Sequence, residues 1–173
     1  MSTEPLPAAP AATPEVVEIE RALTRITYLS TRARQHERLM ALAGVPLDRA
    51  AVALLRQVAD SEPLRPGELA HRLGVEASHV TRTVQQLQRS GHVTRVPDPD
   101  DRRAQRIELT DAGREAVARV RDAGARGMQL ALRDWEPGEL HQLATLFHRM
   151  VDDFLAHSVE DEPGDTATAG RAL

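Results

Sequence analysis

The stretch from Val96 to Thr110, VPDPDDRRAQRIELT, has side chains whose types and spacing could perform recognition chemistry. Three aspartates and two prolines fall within five residues, and an arginine pair follows at once. Arginine guanidinium groups bind phosphate and base edges through two parallel hydrogen bonds, and carboxylates can orient them. The stretch is therefore either a solvated hairpin tip or a rigid turn that presents arginine to an anionic partner.

A second group of candidate side chains lies on the predicted helix EASHVTRTVQQLQRSG, residues 76–91. Val80, Val84 and Leu87 recur at i, i+4 and i+7, which predicts that they face inward. The outer face has no acid after Glu76, whereas solvated helix faces usually mix charges of both signs. Its side chains are hydrogen-bond donors or neutral polar groups: Ser78, His79, Arg82, Thr83, Gln86 and Arg89.

The sequence contains no pattern typical of catalysis or of a cofactor site. No glycine-rich phosphate loop follows a predicted strand, and no Ser, His and acid occur in a nucleophile context. The chain has no Cys, which excludes disulfides, thiolate metal sites and thiol sensing. His141, His148 and Asp152 are spaced at i, i+7 and i+11, but scattered helical His and Asp are usually exposed. We therefore predict a protein that is not an enzyme and has no metal or cofactor.

The charge distribution favours a nucleic-acid partner although the formal net charge is -4. Between Arg65 and Arg106 there are eight Arg and five acids, whereas the rest of the chain has 14 Arg and 21 acids. A basic middle between acidic ends is expected when one lobe contacts nucleic acid. The chain also lacks an apolar run of the roughly 20 residues that a membrane span needs and has no signal-peptide pattern at its start, so we predict a soluble cytoplasmic protein.

Hydrophobic periodicity and turn residues predict a mainly α fold with a small β-hairpin. A single domain is predicted over residues 15–157, between disordered tails at 1–14 and 158–173. Within it, a long helix over about 15–43 has a narrow apolar seam suited to packing on another helix. Residues 48–110 contain three helices, the third running over 76–91, and two strands, HVTRV and RIELT. The second strand is predicted to turn Ile107 and Leu109 inward, and the first helix to bury five residues: Ala51, Val52, Leu54, Leu55 and Val58. The predicted hairpin is followed by helices over 111–157, in which Gly124 and Gly127 interrupt an apolar pattern whose predicted buried positions include Met128 and Leu130.

This order of a short helix, a glycine turn, a polar-faced helix and a basic-tipped hairpin is the layout of a winged helix-turn-helix. A helix about 10 to 12 Å across fits the major groove of DNA, where base edges can be distinguished. A hairpin beside it can place arginine in the minor groove, whose negative potential attracts cations.

The segment Arg65–Gly113 resembles the MarR (multiple antibiotic resistance regulator) family of transcription factors. The resemblance rests on LQRSGHVTR at the end of the third helix and on a wing signature, an acidic proline turn followed by DRR and then by L-T-x-x-G. The matching positions are Asp98, Pro99, Asp100, Asp101, Arg102, Arg103, Leu109, Thr110 and Gly113.

The resemblance implies a homodimer whose helices about 15–43 and 111–157 interlock and hold two recognition helices in successive major grooves of a pseudo-palindrome. By position, Arg82 corresponds to the base-contacting arginine, and either Arg102 or Arg103 to the minor-groove residue. Arg65 stands where relatives often have a capping Ser or Thr, and it could bind phosphate. Base or phosphate contacts around Arg82 are also implied for Ser78, His79, Thr81 and Gln86.

A small-molecule effector pocket is also implied. Tyr28, Arg32 and His36, at i, i+4 and i+8 of the predicted first helix, could line it or could form a solvated face. We expect a ligand-responsive repressor that binds DNA as a homodimer. The alternative, which the net acidity favours, is a winged-helix protein-interaction module without DNA binding.

Overall fold

The computed structural model describes residues 12–101 and 103–160, with no account of the side chains beyond residue 157. The described residues up to Gly127 form one compact unit, and those from Met128 onward form a second. Arg102 and most residues of the two predicted tails lie outside the described ranges. No helix within those ranges has the length and apolarity that crossing a membrane requires.

Two helices occupy the region in which the sequence predicts a single long one. α1 spans Pro14–Ser30 and α2 spans Ala33–Ala43, so the prediction of one helix over 15–43 is wrong. The hydroxyl groups of Ser30 and Thr31 donate to the carbonyls of Ile26 and Tyr28, at 2.8 and 3.0 Å. Such local hydrogen bonds compete with helical ones and favour termination. α2 ends at Gly44, whose φ of 67° is left-handed and suits glycine.

Three helices form the centre of the first unit. α3 spans Arg49–Ala59, α4 spans Pro66–Leu73 and α5 spans Ala77–Arg89. Asp48 caps α3 by accepting a 2.8 Å hydrogen bond from the Ala51 amide. The predicted inward residues are all buried: Ala51, Val52, Leu54, Leu55 and Val58 in α3, and Val80, Val84 and Leu87 in α5. Their burial fixes which face of α5 is exposed.

The predicted hairpin is present. β1, Val93–Pro97, pairs antiparallel with β2, Gln105–Leu109, in a register that places Val93 opposite Leu109. The inward residues Ile107 and Leu109 are buried, as the alternation predicts. The amide of Ile107 also donates to the carbonyl of Leu64 at 2.8 Å, which attaches the hairpin to the segment before α4.

A hydrogen-bonded contact joins the hairpin to the following helix, α6, Asp111–Ala131. The Thr110 amide donates to the carbonyl of His92 at 3.1 Å, and the Thr110 hydroxyl donates to the carbonyl of Gly91 at 2.6 Å. The Gly113 amide donates back to the Thr110 hydroxyl oxygen at 3.1 Å. A Cβ at Gly113 would overlap the His92 carbonyl oxygen, so glycine permits this close approach.

The helices outside this core expose much apolar surface. α7 spans Pro137–Glu160. In the single chain, α1 has no buried residue, and α7 has none among its residues with described side chains. Burial predicted for Met128 and Leu130 in α6 is wrong, because their side chains are 61% and 71% exposed. Large apolar side chains of α7 are also exposed: Leu143, Leu146, Phe147, Val151, Phe154 and Leu155.

Candidate nucleic-acid interface

The outer face of α5 presents the predicted base-reading side chains to solvent. Ser78, His79, Thr81, Arg82 and Gln86 are all exposed. Because Val80, Val84 and Leu87 anchor the opposite face in the core, α5 cannot rotate about its axis without exposing them. Within the described part of the chain, the Arg82 guanidinium has no hydrogen-bond or ion-pair partner, so its donors are free to bind an acceptor.

Two of these polar side chains make intramolecular hydrogen bonds. The Thr81 hydroxyl donates to the Ala77 carbonyl at 2.9 Å. The Gln86 amide donates to Asp48 Oδ2 at 3.2 Å, so the N-cap carboxylate of α3 also orients a residue of α5. The structure therefore holds Gln86 in place, which the sequence pattern did not predict.

The wing tip lies between β1 and β2. The backbone amide of Arg103 donates to Asp101 Oδ1 at 3.0 Å, while the exposed Arg103 guanidinium makes no hydrogen bond or ion pair with any described residue. Arg102, the other candidate for the minor groove, lies outside the described residues. Arg103 is therefore the wing arginine whose free side chain the structure describes.

The wing aspartate Asp98 is the one buried charged residue within the described ranges, with 1% exposure. Its Oδ2 accepts from Arg65 Nε at 2.6 Å and from Arg106 Nε at 2.8 Å. Its Oδ1 accepts from the amides of Asp100 and Asp101 at 2.9 and 3.2 Å. We call the set Arg65, Asp98 and Arg106 the Asp98 junction. It connects the wing turn, β2 and the residue that precedes α4.

Hydrogen bonds from Arg65 and Arg106 hold the pKa of Asp98 well below its usual range, since they favour the charged carboxylate. The same bonds raise the pKa values of both arginines. Arg106 Nη2 also contacts Asp100 Oδ2 at 3.2 Å. The junction is thus a fully ionised cluster in which one carboxylate is shared by two cations.

The residues predicted to face an effector do not share one continuous helix. Tyr28 lies in α1 and Arg32 precedes α2, with the Arg32 guanidinium 4.8 Å from the Tyr28 ring centroid and its Nη2 3.2 Å from the phenol oxygen. Both side chains are exposed. His36 Nε2 lies 2.8 Å from the carbonyl oxygen of Leu47 and so donates to it. The structure therefore brings Tyr28 and Arg32 into contact, whereas His36 hydrogen-bonds to the Leu47 carbonyl instead.

A groove of about 340 Å³ lies between the end of α3, β2 and the start of α6, and none of Tyr28, Arg32 and His36 lines it. Its two arginines are engaged: Arg114 with the Leu109 carbonyl and Asp111, and Arg121 with Asp60. Among residues 12–101 and 103–160, no group of three or more His, Cys, Asp or Glu side chains is placed to hold a metal ion.

Comparison with known proteins finds a match to one family model and similarity to transcriptional regulators. The model of the MarR family matches residues 47–104, which include α3, α4, α5 and the start of the wing. The chain is 25% identical over 88 residues to the HTH-type transcriptional regulator BilQ of Clostridioides difficile, covering 51% of this chain and 58% of BilQ. It is 31% identical over 99 residues to a putative transcriptional regulatory protein for the hcr operon of Thauera aromatica, covering 56% and 60%. These matches thus span about three fifths of either relative.

Solved structures resemble a larger part of the fold. A MarR family protein from Bacillus stearothermophilus aligns with a TM-score of 0.71 at 20% identity, covering 84% of this chain and 99% of that one. The transcriptional regulator Tm0710 from Thermotoga maritima aligns with a TM-score of 0.61 at 25% identity, with the same coverage. The mainly helical fold with a two-stranded wing is therefore shared with these structures.

Proposed function

We infer from the chain's similarity to the MarR family that it is a DNA-binding transcriptional regulator, and we propose that it is a ligand-responsive repressor acting as a homodimer. The observation that carries the DNA-binding part is the exposed polar face of α5, whose orientation is fixed by the buried Val80, Val84 and Leu87. Arg82 lies on this face, and its guanidinium has no partner among the described residues. Arginine forms bidentate hydrogen bonds with guanine O6 and N7, the commonest specific contact in the major groove.

In this proposal α5 lies in the major groove and the wing lies beside it. Arg82 contacts bases, with Ser78, His79, Thr81 and Gln86 contacting bases or phosphates around it. Arg102 or Arg103 enters the minor groove, and the Arg103 guanidinium, which has no hydrogen-bond or ion-pair partner among the described residues, is available for this contact. Arg65 contacts phosphate.

The homodimer is supported by the apolar side chains that α1 and α7 leave exposed in the single chain. Monomeric soluble proteins rarely expose contiguous apolar patches larger than a few hundred Å². A second copy that covers these faces holds two α5 helices at a fixed spacing, which suits a pseudo-palindromic operator. Protein-interaction activity without DNA binding is the competing function.

The proposed effector is a small phenolic or anionic molecule, and the exposed pair of Tyr28 and Arg32 offers an aromatic ring and a cation for it. An effector that binds the DNA-incompatible spacing more tightly shifts the dimer toward that state and releases DNA. Benzoate and 4-hydroxybenzoate are suitable probes, and their release of DNA should be lost in a Tyr28→Ala, Arg32→Ala variant.

Selection from a random duplex library, followed by titration of the enriched duplex at 50 and 200 mM salt, tests DNA binding. We expect the affinity to fall steeply with salt, because bound arginines displace counterions from phosphates. Arg82→Ala should weaken the free energy of DNA binding by roughly 1 to 3 kcal/mol and should relax the preference for the enriched sequence. Arg119→Ala, which removes an exposed arginine of α6 paired with Glu115, is the control and should leave preference unchanged. No enrichment and no binding at 50 mM salt would refute the proposal in favour of the interaction module.

A further inference from the structure

The Asp98 junction contains two arginines that differ in what they leave free. The Arg106 side chain is 23% exposed, and both its Nε and Nη2 contact carboxylates. The Arg65 side chain is 41% exposed and uses only Nε, at 2.6 Å from Asp98 Oδ2. A guanidinium has five N–H donors in a planar fork, so Arg65 keeps four on its Nη atoms. Within the described residues these four have no partner.

The position of Arg65 makes these free donors useful. Arg65 immediately precedes α4, where its backbone amide donates to Glu68 Oε2 at 2.7 Å. The backbone of Arg65 is therefore held at the start of α4 by Glu68, and its side chain is held by Asp98 through Nε. A long arginine side chain otherwise loses considerable rotamer entropy when it binds a phosphate.

Asp98 itself depends on the wing. Its amide donates to the Ala104 carbonyl at 3.1 Å, which closes the turn between β1 and β2, and its Oδ1 accepts the amides of Asp100 and Asp101. The carboxylate that holds Arg65 is consequently in place only when the wing turn is formed.

We propose that Asp98 is a positioning residue for DNA binding: it holds Arg65 so that the free Nη groups of Arg65 contact a DNA phosphate, and it makes this contact depend on a formed wing. The proposal rests on the DNA-binding function proposed above. In this proposal the buried carboxylate of Asp98 favours DNA binding, although DNA is itself negatively charged.

Charge alone predicts the opposite effect of removing this acid. Neutralising a carboxylate near DNA removes a repulsion and should strengthen binding. If Asp98 positions Arg65, Asp98→Asn should weaken binding of the enriched duplex on the order of tenfold, as expected for loss of one charge-assisted contact. The dependence of log affinity on log salt should become shallower by roughly 0.9 for each protomer. Asp101→Asn is the matched control, because it neutralises an exposed wing acid but can still accept the Arg103 amide; its affinity should stay equal or rise.

A double-mutant cycle separates positioning from general stabilisation of the fold. Asp98→Asn should change affinity less than about twofold when Arg65 is already Ala, since the contact that it positions is gone. Circular dichroism and thermal unfolding of each variant would show that binding is measured on folded protein. The proposal would be overturned if the loss of DNA affinity in the double variant equalled the product of the losses in the two single variants. It would also be overturned if folded Asp98→Asn bound DNA as tightly as the unaltered chain.

Arg65→Lys keeps the test decisive if Asp98→Asn does not fold. Lysine retains the charge, but its single ammonium lacks the fork that lets one side engage Asp98 and the other a phosphate. We expect Arg65→Lys to lose most of the affinity that Arg65→Ala loses, and full affinity in Arg65→Lys would contradict the proposal. No binding by the unaltered chain would overturn the DNA-binding function as well, whereas normal binding by that chain with unaffected variants would overturn only the positioning role.

Discussion

Replacement of Gly113 by alanine tests the close contact between α6 and the turn that precedes β1. A Cβ at this position would overlap the His92 carbonyl oxygen and would lie 3.0 Å from the His92 carbonyl carbon and 3.3 Å from Leu109 Cδ2. The first two atoms belong to the backbone, so relief requires a shift of α6 or of the turn. Because Thr110 hydrogen-bonds to both Gly91 and His92, either shift disturbs the three hydrogen bonds of this contact.

The size of the effect follows from opposing terms. Forcing an extra carbon into a packed site costs typically about 1 to 3 kcal/mol. Each of the three hydrogen bonds is worth about 1 kcal/mol net, and at least the one to the displaced His92 carbonyl weakens. Alanine in a helix recovers at most about 1 kcal/mol relative to glycine. We therefore expect Gly113→Ala to lower the free energy of unfolding by about 1 to 3 kcal/mol, or Tm by about 3 to 10 °C for a chain of this size.

Thermal unfolding followed by circular dichroism, at one fixed protein concentration, is the assay, since association makes Tm depend on concentration. Gly127→Ala in the same helix is the control, because a Cβ there meets no atom of the described residues within 4 Å. It should leave Tm unchanged or raise it by about 1 to 3 °C. A Gly113→Ala variant as stable as the unaltered chain, or as stable as Gly127→Ala, would refute the reasoning.

Two further predictions concern association and acid stability. Leu146→Asp, on the exposed apolar face of α7, should shift sedimentation equilibrium from dimer toward monomer, whereas Thr145→Asp on the opposite face should not; equal masses for the two variants would contradict the proposed interface. Because Asp98 has a lowered pKa in the folded state, its contribution to the free energy of unfolding is complete above its unfolded pKa of about 4 and is lost as the pH falls below that value. Denaturant unfolding from pH 6 to pH 2 should therefore show a steeper loss of stability for the unaltered chain than for Asp98→Asn, and parallel curves would exclude this contribution.

Elements with a strong hydrophobic period were predictable from sequence because their periodic side chains are the ones that pack. The stripe of Val80, Val84 and Leu87 predicts both the existence of α5 and its exposed face, and the structure confirms both. The alternation of Ile107 and Leu109 does the same for β2. The break between α1 and α2 was missed because the spacing of three and four residues continues across it through Ser30 and Ala33. Ser30 and Thr31 were an available signal, since hydroxyl side chains in sequence often bond to carbonyls of the preceding turn.

Burial predicted from periodicity also failed at Met128 and Leu130, for a different reason. A periodic pattern identifies an apolar face but does not identify the chain that covers it. These two side chains are exposed in the single chain, and so are the apolar side chains of α7. Apolar periodicity in α6 and α7 is therefore equally compatible with an interface and with a core. Their exposure outside the core of α3, α4 and α5 supports the interface proposed above, since exposed apolar patches mark interaction surfaces.

The partners of the wing aspartates could not be predicted from sequence, because they are set by contacts between distant positions. Arg102 and Arg103 are adjacent to the acidic turn, and the sequence alone leaves open that they pair with it. In the structure Asp98 instead binds Arg65, which is 33 residues away, and Arg106 across the hairpin. Among the described residues, the Arg103 guanidinium therefore has no hydrogen-bond or ion-pair partner. An acidic turn therefore does not imply a neutralised wing tip: the buried acid is satisfied by cations at the base of the wing, and the positive charge at its tip stays available for a polyanion.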